Sequence, residues 1–310
     1  MIGRRKKYLS PSRLAWMRFK NHNLAWYSLM FLIALVMTVT VVPFIAEFFF
    51  HLDHADIDLN RRFMVNSASH WFGTDELGRD VLLRTLYGGR ISLFVAIASA
   101  SAALIIGTTI GSVAGYYGGR IDAVLMRFTD AVLTLPVLPL MILLAAIDLN
   151  KILPGYLSFL AAGNHASIVK LMLIVVFFGW MTVARLVRAE FLSLKEREFV
   201  QAARSIGVSN WKIIFQHILP NSVAPIIVAI TLSIGGIIIA EATLSFLGLG
   251  IHPPYPSWGN MLTNAQDYIR SAPMLSVYPG ILILITVVAI NFVGDGLRDA
   301  FDPKFVYKKE

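Results

Sequence analysis

His51, Asp53, His54, Asp56 and Asp58 form the densest group of metal-capable side chains in the chain. Imidazoles and carboxylates can hold a divalent cation when a loop folds them together. An ordinary polar loop has the same composition, and no selective metal site is expected here. The seven histidines nowhere form His-Glu-x-x-His, so the helical zinc-hydrolase pattern is missing. Ser99, Ser101 and Ser112 have no evident His–carboxylate arrangement to activate a hydroxyl. With no cysteine, disulfides, thiolate metal sites and cysteine nucleophiles are excluded. Gly118-Gly119-Arg120-Ile121-Asp122 is rich in glycine but lacks the closing Gly-Lys-Ser/Thr that cradles phosphates, and it reads as a short turn between helices. Neither a catalytic residue nor a cofactor site is expected in this polypeptide.

The elements that position these residues are set by composition. The 310 residues are 56% hydrophobic and 15% charged, where a soluble domain carries about 25% charged residues. Mean hydropathy is +0.67. Such a chain belongs in a bilayer. Six apolar stretches approach the length of about 20 residues that crosses a hydrocarbon core, at 24–46, 91–114, 123–147, 168–190, 222–247 and 277–295. The first is too long for a signal-peptide core and is followed by no convincing cleavage site, so it reads as a retained anchor.

The charge of +8 is mainly topology. Arg4, Arg5, Lys6, Lys7, Arg13, Arg18 and Lys20 precede the first span, and the positive-inside tendency puts them in the cytoplasm. Six spans return the C-terminus, with Arg298, Lys304, Lys308 and Lys309, to the same side. The connection between the fourth and fifth spans joins them with Arg185, Arg188, Lys195, Arg197, Arg204 and Lys212. The outer connections near 148–167 and 248–276 have almost no positive charge. No nucleic-acid footprint is left over.

Ionisable residues at membrane depth are costly without water or a partner. Arg127 and Asp130 stand three apart on the third span, where they can compensate each other. Glu241 lies toward the outer part of the fifth span and either faces a pathway, meets a neighbouring subunit or packs internally. Pro136 and Pro139 predict an irregular third span. Gly107, Gly111 and Gly115, four apart, read as a close helix–helix contact, with gating as the alternative. In the outer segment, Gly73 and Gly78 free the turns beside Asp75, Glu76, Arg79, Asp80 and Arg84. Those charges either support the outer face or meet a soluble partner. Pro253, Pro254 and Pro256 prevent a continuous helix in the last outer loop and leave Trp258 as an anchor.

The polar inner segment predicts two short helices. Ser193 and Glu196 have capping-box spacing, and Phe199, Ala202, Ala203 and Ile206 recur on one face before Gly207 interrupts. Ser209 or Asn210 caps a second helix with Trp211, Ile214, Phe215 and Ile218 on one side, closed by Leu219-Pro220. Spacing leaves two outcomes open: a loop folded on its own bundle, or a docking element for a cytoplasmic subunit.

Gln201-Ala-Ala-Arg-Ser-Ile-Gly207, continued to Ile218-Leu-Pro220, resembles the signature by which membrane subunits of bacterial ATP-binding-cassette importers engage their ATPases, with Gln201 where the family typically has Glu. Phe72-Gly-Thr-Asp-Glu-Leu-Gly-Arg-Asp80, Gly89-Arg-Ile-Ser92, Ser245-Phe-Leu-Gly-Leu-Gly250, Ser257-Trp-Gly259 and Gly294-Asp-Gly-Leu-Arg-Asp-Ala300 are similar to the C-type permease of dipeptide, oligopeptide and nickel importers. The resemblance implies an all-α integral membrane protein of six transmembrane helices with the type I importer permease core (MetI-like). Residues 1–69 would hold the inner tail, first span and external segment, 70–300 a five-helix core with coupling helices at 193–220, and 301–310 a cytoplasmic tail. It also implies ATPase coupling through Gln201, Ala202, Ala203, Gly207, Trp211, Phe215, Leu219 and Pro220. The implied partners are a homologous B-type permease, two ATPases carrying ATP and Mg2+, an extracytoplasmic peptide-binding protein and membrane lipid. Nickel is the alternative substrate, and the implied location is the bacterial inner membrane with both termini inside.

Overall fold

A computed structural model describes residues 11–148, 163 and 165–302. Its helices are α1 (Pro11–Asn21), α2 (Asn23–Phe50), α3 (Val81–Tyr117), α4 (Gly119–Leu133), α5 (Val137–Ala146), α6 (Ala166–Leu194), α7 (Glu198–Ser205), α8 (Asn210–Phe246), α9 (Trp258–Gln266) and α10 (Met274–Phe301). Among the described residues the only extended pairing is an isolated bridge between Thr74 and Asp80. Among the described residues five helices, α2, α3, α6, α8 and α10, are long and apolar enough to cross a membrane, and α4 with α5, bent by 83°, makes a sixth candidate as a broken span or a re-entrant loop. The bend falls at Thr134–Pro136, where proline interrupts the backbone ladder. Most of the outer connection at 148–167 and the basic ends at 1–10 and 303–310 lie outside the described residues.

The bundle is organised on the seam between α3 and α6. A Cβ on Gly107 would sit 2.6 Å from the Trp180 carbonyl oxygen, and one on Gly111 2.5 Å from that of Ala184. One on Gly115 would meet the Phe191 Cβ at 2.6 Å. The glycine stripe therefore brings two backbones into contact, as small residues do in lipid. Ala96, Ala100, Ala103, Trp180 and Ala184 belong to the same core, joined by Ile237, Ile238 and Leu244 of α8. At the Gly115–Phe191 end, named inner for the side expected to face the cytoplasm, a separate cluster of Tyr116, Val183, Val187, Phe191, Val200, Ala203, Ile213, Ile214, Ile218 and Ile226 fastens the 198–218 segment to α3 and α6.

Helix α1 has no counterpart among the expected spans. It precedes α2 with only His22 between them, and the His22 Nδ1 accepts from the Ala25 N–H at 3.2 Å. It packs Ala15 and Phe19 onto Val293 and Ala300 of α10.

The inner bracket and the outer knot

The segment from Glu198 to Ile218 forms a bracket against the inner ends of α3 and α6. Gly207 breaks it as expected, with φ +78°, a conformation that costs a side-chain-bearing residue. Nothing lies within 4 Å of a Cβ built there, so Gly207 serves a turn and not a close contact. Other expectations need correction. Helix α6 runs on through Leu194, so Ser193 lies inside it and caps nothing; the next helix begins after Arg197 without a side-chain cap. Ser209 precedes α8 but forms no side-chain cap either. The Asn210 Oδ1 instead accepts from the Tyr116 hydroxyl at 2.6 Å. Leu219-Pro220 closes no helix. Residues Ile213–Ile218 form a π turn, after which Pro220 falls in the first turn of the following α-helical register, where its missing N–H costs nothing. The two expected helices are thus one short helix, α7, and the base of the 37-residue α8.

The apolar faces also divide differently. Val200 and Ala203 are buried, whereas Phe199, Ala202 and Ile206 face outward, Ile206 at 81% exposure. In α8, Ile213, Ile214 and Ile218 are buried while Trp211, 70% exposed, packs its ring 4.1 Å from that of Phe215. Both apolar sides are real: one holds the bracket to the bundle, and the other is bare. Gln201 is exposed, and its side-chain amide donates to the Glu196 carbonyl at 3.2 Å. The Arg204 guanidinium lies 5.2 Å above the Tyr116 ring, a second tie between bracket and α3.

At the outer end Asp75, Arg79 and Arg84 are turned inward, each less than a tenth exposed. The Arg79 Nε donates to Asp75 at 2.7 Å and its Nη2 to Glu76 at 2.8 Å, while the Arg84 Nε lies 3.3 Å from Asp75. Asp75 also accepts from the N–H groups of Leu77 and Arg79. Asp80 caps α3 through the Leu83 N–H at 2.8 Å and pairs with His70 at 2.9 Å. Gly78, at φ +77°, has the Asp58 carbonyl where a side chain would go. These charges brace one another, while Ile57, Val65 and Trp71 are largely exposed beside the exposed Asp53, Arg61 and Arg62.

The metal-capable cluster does not converge: among the described residues no three such groups could share an ion. His54 stacks on Tyr87 at 4.1 Å with its Nδ1 3.1 Å from Asp53, and Asp58 pairs with Arg61 at 3.0 Å. Burial holds the His54 imidazole below its usual range, against the pull of Asp53 and Glu47. Arg127 and Asp130 do not pair with each other. Asp130 lies 3.8 Å from Arg185 of α6, and Arg127 is exposed with no ion pair among the described residues. The neighbouring Asp122 is held in a fork by Arg188 of α6. Three-residue spacing brings carboxylate and guanidinium to one face, but here α6 supplies the nearer cations.

Glu241 is fully buried and joins three elements. The Ser92 hydroxyl of α3 donates to its Oε2 at 3.0 Å and the Ser245 hydroxyl to its Oε1 at 2.8 Å. Ser92 in turn accepts from the Trp258 N–H at 3.2 Å, and Ser245 from that of Ile251 at 3.1 Å. The Trp258 ring, wholly buried, donates to the Thr85 carbonyl at 3.0 Å. Glu241 therefore packs internally and pins the last outer loop. Ser92 and Ser245, inside the motifs quoted above, were the signal for this knot. Replacing Glu241 with leucine should leave the protons of both hydroxyls without their acceptor, at a cost of about 2–4 kcal/mol. Hydrogen exchange at the Ile251 and Trp258 amides should then accelerate at least about tenfold; unchanged protection would contradict the knot.

A family model described as binding-protein-dependent transport system inner membrane component matches residues 107–307. The chain belongs to this family. The matched residues contain the inner bracket, the bent α4–α5 pair and, from the knot, Glu241, Ser245, Ile251 and Trp258, while Ser92 and Thr85 precede them. A second model, described as the N-terminal TM domain of oligopeptide transport permease C, matches residues 10–66, which hold α1 and α2. The permease is 41% identical over 296 residues to the dipeptide transport system permease protein DppC of Alkalihalophilus pseudofirmus, covering 96% of this chain and 91% of that protein. It is 39% identical over 302 residues to the glutathione transport system permease protein GsiD of Pectobacterium atrosepticum (97% and 94% covered). Identity to the oligopeptide transport system permease protein OppC of Bacillus subtilis is 36% over 299 residues (96% and 92%).

Proposed function

We propose that this permease forms half of the translocation pathway of a peptide importer in the bacterial inner membrane, paired with a homologous B-type permease. Two ATPase subunits, carrying ATP and Mg2+, drive it from the cytoplasm, where both termini lie. An extracytoplasmic binding protein delivers the peptide. The observation that carries this is the bare apolar face of the bracket, Phe199, Ile206, Trp211 and Phe215, on a segment whose opposite face is locked into the bundle. Exposed apolar side chains on a segment that also carries Glu196, Arg197, Glu198, Arg204 and Lys212 suit a groove in a cytosolic protein. Gln201 leaves a neutral amide where the family signature has a carboxylate, so the ATPase contact here rests on shape and apolar area.

Force applied to the bracket has two routes outward. The Tyr116–Asn210 bond couples it to α3, and α8 continues from the bracket without a break to the Glu241 knot. Its 37 residues span about 55 Å, so α8 acts as a lever from the ATPase side to the outer loop. Closure of the ATPases around ATP draws two such brackets together and opens the pathway outward; hydrolysis releases them. Residues 70–300 move as the core, with 1–69 and 301–310 attached.

The relatives named for dipeptides, oligopeptides and glutathione support a short peptide as the substrate. Proteoliposomes holding both permeases and both ATPases should accumulate labelled di- or tripeptide only with ATP and the binding protein present. Accumulation of nickel without any response to peptide would overturn the substrate assignment and leave the importer assignment standing.

A further inference from the structure

Helix α1 carries a surface that the transport cycle does not use. Arg13, Trp16, Met17 and Lys20 recur at three- and four-residue steps and share one face. Trp16 and Met17 are about half exposed, and Leu14 beside them is 38% exposed. The Lys20 ammonium sits 5.4 Å from the Trp16 ring and 5.1 Å from that of Trp26. No acidic residue occurs in α1, and Arg4, Arg5, Lys6 and Lys7 precede it in the sequence.

The opposite face fixes where this surface lies. Phe19 and Ala15 are buried against α10, where a Cβ on Gly296 would meet the Phe19 ring at 3.2 Å. The Arg18 Nη1 donates to the carbonyls of Ala300 at 3.4 Å and Asp302 at 3.2 Å, at the C-terminal end of α10. His22 Nε2 lies 3.8 Å from Asp299. Helix α1 is thus held on the end of one span and adjoins the first turn of another, α2, whose Leu24 and Tyr27 are exposed. Tryptophan and tyrosine at the end of a membrane span favour the membrane–water interface.

We propose that the Arg13–Trp16–Met17–Lys20 face binds the headgroups of anionic phospholipids, and that α1 thereby anchors the inner end of α10 to the bilayer surface. The cations meet lipid phosphates while Trp16 and Met17 enter the acyl boundary, the arrangement of an interfacial amphipathic helix. Its placement in the cytoplasmic leaflet rests on the inward N-terminus proposed above. A single cysteine replacing exposed Asn21 in this cysteine-free chain, labelled from either side, reports that placement separately.

The test uses the full permease complex in nanodiscs of phosphatidylcholine containing either brominated phosphatidylglycerol or brominated phosphatidylcholine, whose two leaflets are alike. Trp16 emission is taken as the difference between the parent and Trp16→Phe. The anionic lipid should quench it at lower mole fraction than the neutral one. Arg13→Gln and Lys20→Gln should each reduce that preference about fivefold. Equal quenching by both lipids in the parent would overturn the proposal. So would the absence of quenching by either, which would place a protein partner on this face.

Discussion

Replacing Ile206 and Trp211 with glutamate is expected to abolish capture of the ATPase subunits while leaving the permease folded and inserted. Both side chains are more than two-thirds exposed, so the bundle loses no buried contact. An apolar anchor in a protein interface contributes about 2–4 kcal/mol, and a carboxylate driven into its pocket adds an unpaired charge. Loss for the pair is therefore at least about 1,000-fold in affinity. Gly207→Val should have a related but smaller effect by another route: with φ +78° and open space around it, valine strains the turn by about 1–3 kcal/mol and tilts α7 away from Trp211. Co-purification of tagged ATPase, with melting of the permease as the folding control, separates lost docking from lost structure. Full capture by the double variant would contradict the docking face.

Gly111→Val should instead destroy the bundle. The added atoms meet the Ala184 carbonyl and the Val187 Cβ, 2.5 and 2.8 Å from the first carbon, and both belong to packed helix. Neither can give way without parting α3 from α6, a cost of about 3 kcal/mol or more. The inserted chain should melt well below the parent in detergent and fail to assemble with partner subunits. Gly236→Ala is the control: it lies in α8 with nothing within 4 Å, and should be neutral or slightly stabilising. Equal melting of Gly111→Val and the parent would show that the seam tolerates separation.

Much of the fold was legible because lipid imposes simple rules. Apolar length marked the five long helices and the bent α4–α5 pair, Pro136 marked the 83° bend, and the glycine stripe marked a close helix pair. The exposed charge at the inner segment marked the bracket, and Gly207 its turn. What failed did so where two partners compete for one side chain. Phe199 and Val200 are adjacent and equally apolar, so periodicity alone does not say which of them the bundle takes. Asp130 has a cation three residues away in sequence, yet Arg185 of α6 reaches it. Pro220 stops an ideal α-helix, but a π turn just before it lets α8 continue. The outer charges left support and partner contact both open, because sequence does not show that Arg79 and Arg84 converge on one carboxylate, Asp75. Helix α1 lay below the length of a span, and its basic residues were absorbed into topology.

The docking face of the bracket is tested most directly by crosslinking. A photoreactive residue at position 206 or 211 in the assembled complex should give a covalent adduct with an ATPase subunit, and one at exposed Asn21 should not. Adducts from 206 and 211 that contain only lipid or the permease's own chain would contradict the assignment of this face as the input from the ATPase.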